Sequence, residues 1–244
     1  DGIVCKISDT RFISTTTSSG APKVLADMEE YLQTEWPHLQ VYLNSITEQF
    51  TTFNISGPKS REIMSKVFNE VDFSNENFPF MTFKIFDYMD TEVRIMRASF
   101  TGEMGYEIYI NPKFSLALWE KIIEEGAEFG ILPVGSEASH VLRVEKGFLS
   151  LGHEVDGTVD PYDLGMDWLM SKKKMDYIGK RSVHLRRSIE KVRKELVGLL
   201  PNNPNDAIPE GAPITPNGKK VATEGFTTAC VWSVVTNRWV GLAL

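Results

Sequence analysis

Arg97-Ala-Ser-Phe-Thr-Gly-Glu-Met-Gly-Tyr-Glu-Ile-Tyr-Ile110 is the stretch on which the reading of this chain turns. An alternating strand (Val93, Ile95, Arg97) enters a turn rich in glycine and carboxylate, and a second alternating strand (Tyr106, Ile108, Ile110) leaves it. The period of two on both sides predicts paired strands with one face turned to a core. Gly102 and Gly105 permit backbone that other residues resist, and a carboxylate on the outgoing strand has its direction fixed by the sheet. Such a turn can hold a carboxylate against a bound molecule, and this one offers two, Glu103 and Glu107. Thr-Gly-Glu is also ordinary turn composition, so these residues alone define a ligand-facing turn without naming its ligand.

The pattern extends in both directions. Phe78-Pro-Phe-Met leads into a hairpin, 82–88 and 92–98, turned at Met89-Asp-Thr. Residues 3–16 form another, with Asp9-Thr-Arg between its strands. Val24, Leu25, Met28, Tyr31, Leu32 and Trp36 recur at helical spacing until Pro37 stops them. A strand pair at 40–44 and 48–55 is expected next, then a helix opened by Gly57-Pro-Lys-Ser-Arg with Ile63, Met64, Val67 and Phe68 facing a core. Downstream, 113–129 is a helix closed by Gly130, and Ser136 caps another through Lys146. Helices packed on mixed antiparallel sheets make an α+β fold, and residues 1–150 are read as two interleaved subdomains of that kind. Residues 151–194 are a turn-rich and helical connection, with a polar helix at 179–193. Residues 195–244, with a Pro216-Asn-Gly turn, read as a small C-terminal β-barrel that stops in mid-strand. Both ends look cut from something longer: the chain opens Asp-Gly-Ile-Val and closes within Trp239-Val-Gly-Leu-Ala-Leu244.

Composition narrows the function classes. With 26 Lys and Arg against 33 Asp and Glu, the formal charge of −7 argues against nucleic acid as the main partner. No run approaches the ~18 apolar residues of a membrane span. Cys5 and Cys230 lie far apart and outside any Cys-x-x-Cys or Cys/His cluster, and His38, His140, His153 and His184 show no ligand spacing, so neither a disulfide framework nor a metal site is expected. A reducing, cytoplasmic setting is the simpler inference. No Gly-x-Gly-x-x-Gly follows a strand to hold a dinucleotide.

As a set, the motifs resemble the folate-binding family of the glycine-cleavage T-protein, which also takes in the C-terminal regions of dimethylglycine dehydrogenase and the sarcosine oxidase alpha subunit. The matching residues are Asp1-Gly-Ile-Val, Leu32-Gln-Thr-Glu-Trp-Pro37, Ser45-Ile-Thr-Glu-Gln49, Ser56-Gly-Pro-Lys-Ser-Arg61, Asn77-Phe-Pro-Phe-Met81, Phe100-Thr-Gly-Glu-Met-Gly-Tyr-Glu107, Leu142-Arg-Val-Glu-Lys-Gly147, Asp156-Gly-Thr-Val-Asp-Pro161 and Ser171-Lys-Lys-Lys-Met-Asp-Tyr-Ile-Gly-Lys-Arg-Ser182. Leu-Gln-Thr-Glu-Trp-Pro, Asp-Gly-Thr-Val and Ser-Lys-Lys-Lys are most similar to the sarcosine oxidase alpha subunits.

The resemblance implies a tetrahydrofolate site that captures a one-carbon unit from an oxidised N-methyl amine as 5,10-methylenetetrahydrofolate. It implies a catalytic, folate-binding role for Asp1 beside the reactive nitrogens, where a carboxylate would stabilise positive charge or relay a proton. Glu107 falls on the glutamate that grips the pterin, a bidentate acceptor against adjacent donors, so the resemblance makes Glu107 the ligand-facing acid and leaves Glu103 to turn chemistry. Phe100 stands where the T-protein has a tyrosine, keeping the ring and losing the hydroxyl. Ser139 stands where the T-protein has an arginine near the ligand. Arg143 is a further folate-side candidate, although an arginine paired inside the fold is the favoured reading. Lys172, Lys173 and Lys174 read as a solvated run able to attract folate's glutamate tail or a partner subunit. Flavin and NAD are expected only on missing or partner portions, with a flavin-bearing beta-type subunit and small subunits as partners. The alternatives are an aminomethyltransferase, a folate-dependent demethylase, or a folate-binding module without chemistry.

Overall fold

The computed structural model describes residues 2–190, 192–216 and 223–244. Its packing divides into two compact units, residues 1–133 and 134–244.

The first unit is built on a four-stranded antiparallel sheet in the order β3-β6-β5-β4, formed by β3 (Thr51–Ser56), β4 (Phe83–Tyr88), β5 (Thr91–Met96) and β6 (Gly105–Ile110). The expected alternation holds. Val93, Ile95, Tyr106, Ile108 and Ile110 turn to one face and are buried with Ile63, Met64 and Val67 of α2 (Ser60–Val67), Phe68 directly after it, and Leu118 and Ile122 of α3 (Ser115–Gly126). Each side chain buried so completely contributes roughly 1.5–3 kcal/mol relative to exposure. Phe73, Phe78 and Tyr106 close this core with ring contacts of 5.2–5.9 Å. β1 (Gly2–Lys6) and β2 (Phe12–Thr16) form the expected hairpin, in register from Gly2–Thr16 to Lys6–Phe12. Its Ile3, Cys5 and Ile13 pack with Met96, Ala98, Phe83 and Tyr109, residues of the opposite side of the sheet.

Three local expectations need revision. The strand at 40–44 does not form: residues 40–46 have no regular structure, and Val41 and Tyr42 are exposed, Tyr42 at 92%. Alternating apolar residues make a strand only where another strand accepts their backbone bonds, and none does so here. The expected helix 113–129 is an α-helix only over Ser115–Gly126, flanked by single 3-10 turns, and Gly130 closes it in the left-handed conformation (φ 74°). The β4–β5 turn is tighter than expected, with Met89 and Asp90 both at positive φ (52° and 58°). α1 (Ala21–Thr34) carries the apolar stripe read from the sequence, but none of its residues is fully buried; Tyr31 stacks on Trp36 at 5.4 Å.

The second unit has a curled, antiparallel four-stranded sheet in the order β7-β10-β9-β8, made of β7 (Val197–Leu199), β8 (Pro213–Ile214), β9 (Gly225–Ser233) and β10 (Arg238–Ala243). The register shifts between Leu242 and Ala243, a bulge of the kind that bends a strand. α4 (Ser136–Lys146) lays Val144 on Ala229, Val231 and Leu242 of this sheet, so its apolar face belongs to the C-terminal core. Gly147 caps it at φ 75°, with Phe148 N–H donating to the Arg143 carbonyl at 2.8 Å. α5 spans Lys180–Ile189. Of the expected Pro216-Asn-Gly turn, residues 217 and 218 lie outside the described residues. Among the described residues no helix is long and apolar enough to cross a membrane.

Candidate functional site

The turn between β5 and β6 is pinned at several points. Ser99 Oγ accepts the backbone N–H groups of Thr101 (3.2 Å) and Gly102 (3.1 Å), a hydroxyl doing the work of a turn carbonyl. The Met104 carbonyl accepts from Gly57 N–H (2.8 Å) and from the buried Ser60 hydroxyl (3.1 Å), which ties the start of α2 to the turn. Glycine fits closely at 105: a Cβ there would stand 2.9 Å from Ser56 Oγ and 3.0 Å from the Ala98 carbonyl, so both neighbours would have to give. Glu103, assigned to turn chemistry, takes no hydrogen bond in the turn, and its Oε2 is buried without a partner. Ser99 does that job instead.

Past Gly105 the strand alternation turns Glu107 and Tyr109 to the side of the sheet opposite α2 and α3. Glu107 is partly buried, directly opposite Asn54 on β3 and Met96 on β5. Tyr109 faces Thr52 and Arg94 in the same rows. The Tyr109 hydroxyl donates to Glu107 Oε2 at 2.5 Å. Burial, then the hydrogen bond and the charge of Glu107, hold the phenol well above its ordinary range, so it remains a donor. Cys5 lies under the pair, its Sγ 3.8 Å from Met96 Sδ; burial first and the Glu107 charge second push its thiol up, so it stays an unreactive SH. Arg94, 7% exposed, stacks on Phe50 at 4.2 Å and donates to Glu92 at 2.6 Å. The outcome is a carboxylate with one oxygen held by a phenol and the other, Oε1, accepting no hydrogen bond among the described residues. Such a group can accept donors from a planar ligand edge.

Other candidates fall elsewhere. Phe100 is 43% exposed on the turn, a ring available to pack on a ligand. Asp1 lies outside the described residues. In the second unit, Ser139 is partly buried on α4 and Arg143 is fully buried. Arg143 Nη1 donates to Glu154 Oε2 at 2.6 Å and to the Phe148 carbonyl at 3.2 Å. Glu154, also fully buried, further accepts from Ser150 N–H (2.9 Å) and Thr228 Oγ1 (2.7 Å). Arg143 is thus committed inside its unit, in line with the reading favoured for it.

Sequence reasoning missed two clusters. Arg187 and Arg193 clamp Asp160 and Asp163 of the Asp-Gly-Thr-Val-Asp-Pro-Tyr-Asp stretch, with Arg187 Nη2 at 2.9 Å from Asp163 Oδ1 and Arg193 Nε at 2.8 Å. His140 and His153 bring their rings to 5.2 Å. No local signal marks either, because the partners come from separate segments that only the fold brings together. Among the described residues no three His, Cys, Asp or Glu side chains are grouped to hold a metal ion, and both cysteines are free.

The GCVT N-terminal domain matches residues 1–174. The sarcosine oxidase subunit alpha of Corynebacterium sp. (strain P-1) is 43% identical over 252 aligned residues, covering all of this chain and 26% of the relative. An aminomethyltransferase of Halothermothrix orenii is 30% identical, over 80% of this chain and 53% of its own length. The crystal structure of the glycine cleavage system aminomethyltransferase T from Bartonella henselae superposes with a TM-score of 0.78 at 21% identity, over 99% of this chain and 62% of that one, which gives the fold. The chain thus spans about a quarter of the length of the sarcosine oxidase alpha subunit it matches. It belongs to the GCVT domain family.

Proposed function

We propose, from membership of that family, that this chain is the tetrahydrofolate-binding region of a sarcosine oxidase alpha subunit, taking up the one-carbon unit released when an N-methyl amine is oxidised. Tetrahydrofolate, when bound, supplies the two nitrogens that hold that unit as 5,10-methylenetetrahydrofolate. The observation that carries the reading is Glu107, partly buried on β6 with Oε2 held by Tyr109 and Oε1 without a partner among the described residues. That pair of acceptor oxygens suits the adjacent amino and imino donors of a pterin edge, which need one fixed carboxylate plane. Phe100 offers an exposed ring on the same turn. Asp1, by family position, stabilises cationic charge beside the reacting nitrogens or relays a proton. Arg143 and Ser139 have weaker claims: Arg143 is used by Glu154.

In this reading the oxidation belongs to flavin-bearing partner subunits of a hetero-oligomer, NAD and flavin lie on portions other than these residues, and the assembly is cytoplasmic. The 43% identity to a sarcosine oxidase subunit alpha, over the whole chain, favours it over an aminomethyltransferase, a folate-dependent demethylase or a binding module without chemistry. The test is Asp1→Asn with Glu107→Gln in the full-length, assembled protein. Formation of 5,10-methylenetetrahydrofolate should be lost while amine oxidation continues and formaldehyde is released. Retained coupling contradicts the reading.

A further inference from the structure

A glutamate on a strand has its Cα–Cβ direction fixed but keeps three side-chain torsions, and ordering them costs conformational entropy when a ligand arrives. In this chain much of that ordering is done beforehand. Tyr109 is two residues along the same strand and so on the same face. Its ring is packed into the cluster of Cys5, Met96 and Ala98, in the row opposite Arg94. From that packed base the hydroxyl reaches Glu107 Oε2 at 2.5 Å. A buried phenol needs a partner, and the carboxylate is the one it has. Oε1 is left without a partner among the described residues.

We propose that Tyr109 is the positioning residue of the site: its hydroxyl locks the Glu107 carboxylate plane so that Oε1, and the remaining lone pair of Oε2, meet a planar donor edge. This rests on the folate reading of Glu107. The lock works through preorganisation, since a fixed acceptor loses less freedom on binding than a mobile one. Cys5, Met96 and Ala98 act as the floor that keeps the ring in place, and Cys5 has no chemical part because its thiol stays protonated.

The experiment is a double-mutant cycle in the full-length protein, with tetrahydrofolate affinity measured by calorimetry for wild type, Y109F, E107Q and the pair. Loss of a hydrogen bond to a charged acceptor predicts that Y109F weakens binding about tenfold, and E107Q about a hundredfold. The double variant should bind no more weakly than E107Q, because Tyr109 acts only through Glu107. A structural role would instead give additive losses, or a lowered melting temperature with unchanged affinity. If E107Q weakens binding and Y109F does not, or if the two losses add, the positioning role is overturned and the folate site stands. If E107Q binds as wild type does, the folate reading itself fails.

Discussion

Arg143 on α4 and Glu154 in the loop that follows meet at 2.6 Å with neither side chain exposed to solvent. A pair this deep is costly to break from one side, because the remaining charge is left buried. Arg143→Met should destabilise the second unit by about 3–5 kcal/mol, and the Arg143→Met/Glu154→Leu double variant should recover much of the loss. Urea unfolding of the three proteins measures this. Equal losses in single and double variants would place the cost in packing and not in the uncompensated charge.

The clamp at Asp163 predicts acid sensitivity. Burial raises its carboxyl, but hydrogen bonds from Arg193 and the Asp160 N–H, with the charges of Arg193 and Arg187, outweigh that and hold it below the ordinary range. A carboxylate depressed in the folded state contributes stability above its unfolded pKa and loses it as pH falls through the folded value. Stability should therefore decline as pH drops below about 4, and Asp163→Asn should flatten that part of the profile while lowering stability at neutral pH. Melting temperatures between pH 3 and pH 7 read it out.

Gly105 is a packing constraint at the entry to β6. A Cβ would press on the Ala98 carbonyl at 3.0 Å and Ser56 Oγ at 2.9 Å. Gly105→Ala should cost about 1–3 kcal/mol of stability, measurable in chemical denaturation; an unchanged midpoint would mean that the turn adjusts freely.

The β4–β5 turn points the other way. Met89 and Asp90 both hold positive φ, a conformation that costs side-chain-bearing residues roughly 1–2 kcal/mol each. Asn-Gly is the pair such a two-residue turn favours. Met89→Asn with Asp90→Gly should raise the melting temperature by a few degrees, corresponding to about 1 kcal/mol, and leave ligand affinity unchanged.

These residues also mark how far the sequence could be read. The alternation around the 97–110 turn placed Glu107 on the outgoing strand and gave it a face, because parity on a strand is a local property. The same parity rule puts Tyr109 beside it, a signal present in the sequence and not used. Ser99 as the brace of the turn was not legible, since hydroxyl, carboxylate and glycine all suit such a turn and only the backbone path chooses. Residues 40–44 carry strand-like alternation but gain no partner strand, and pairing is not a local property. For α4 the apolar face was clear while the sheet it covers was not, because periodicity names a face and never its neighbour. The Asp160, Asp163, Arg187 and Arg193 clamp is assembled across loops, beyond any spacing rule. Asp1 was reached only through family resemblance.

The role of Glu107 is decided by the affinity of the full-length protein for tetrahydrofolate, measured by calorimetry for wild type and Glu107→Gln side by side. Folate binding through Glu107 requires saturable binding by wild type and about a hundredfold weaker binding by the variant, whose melting temperature without ligand stays the same. Equal affinities for the two proteins would contradict it.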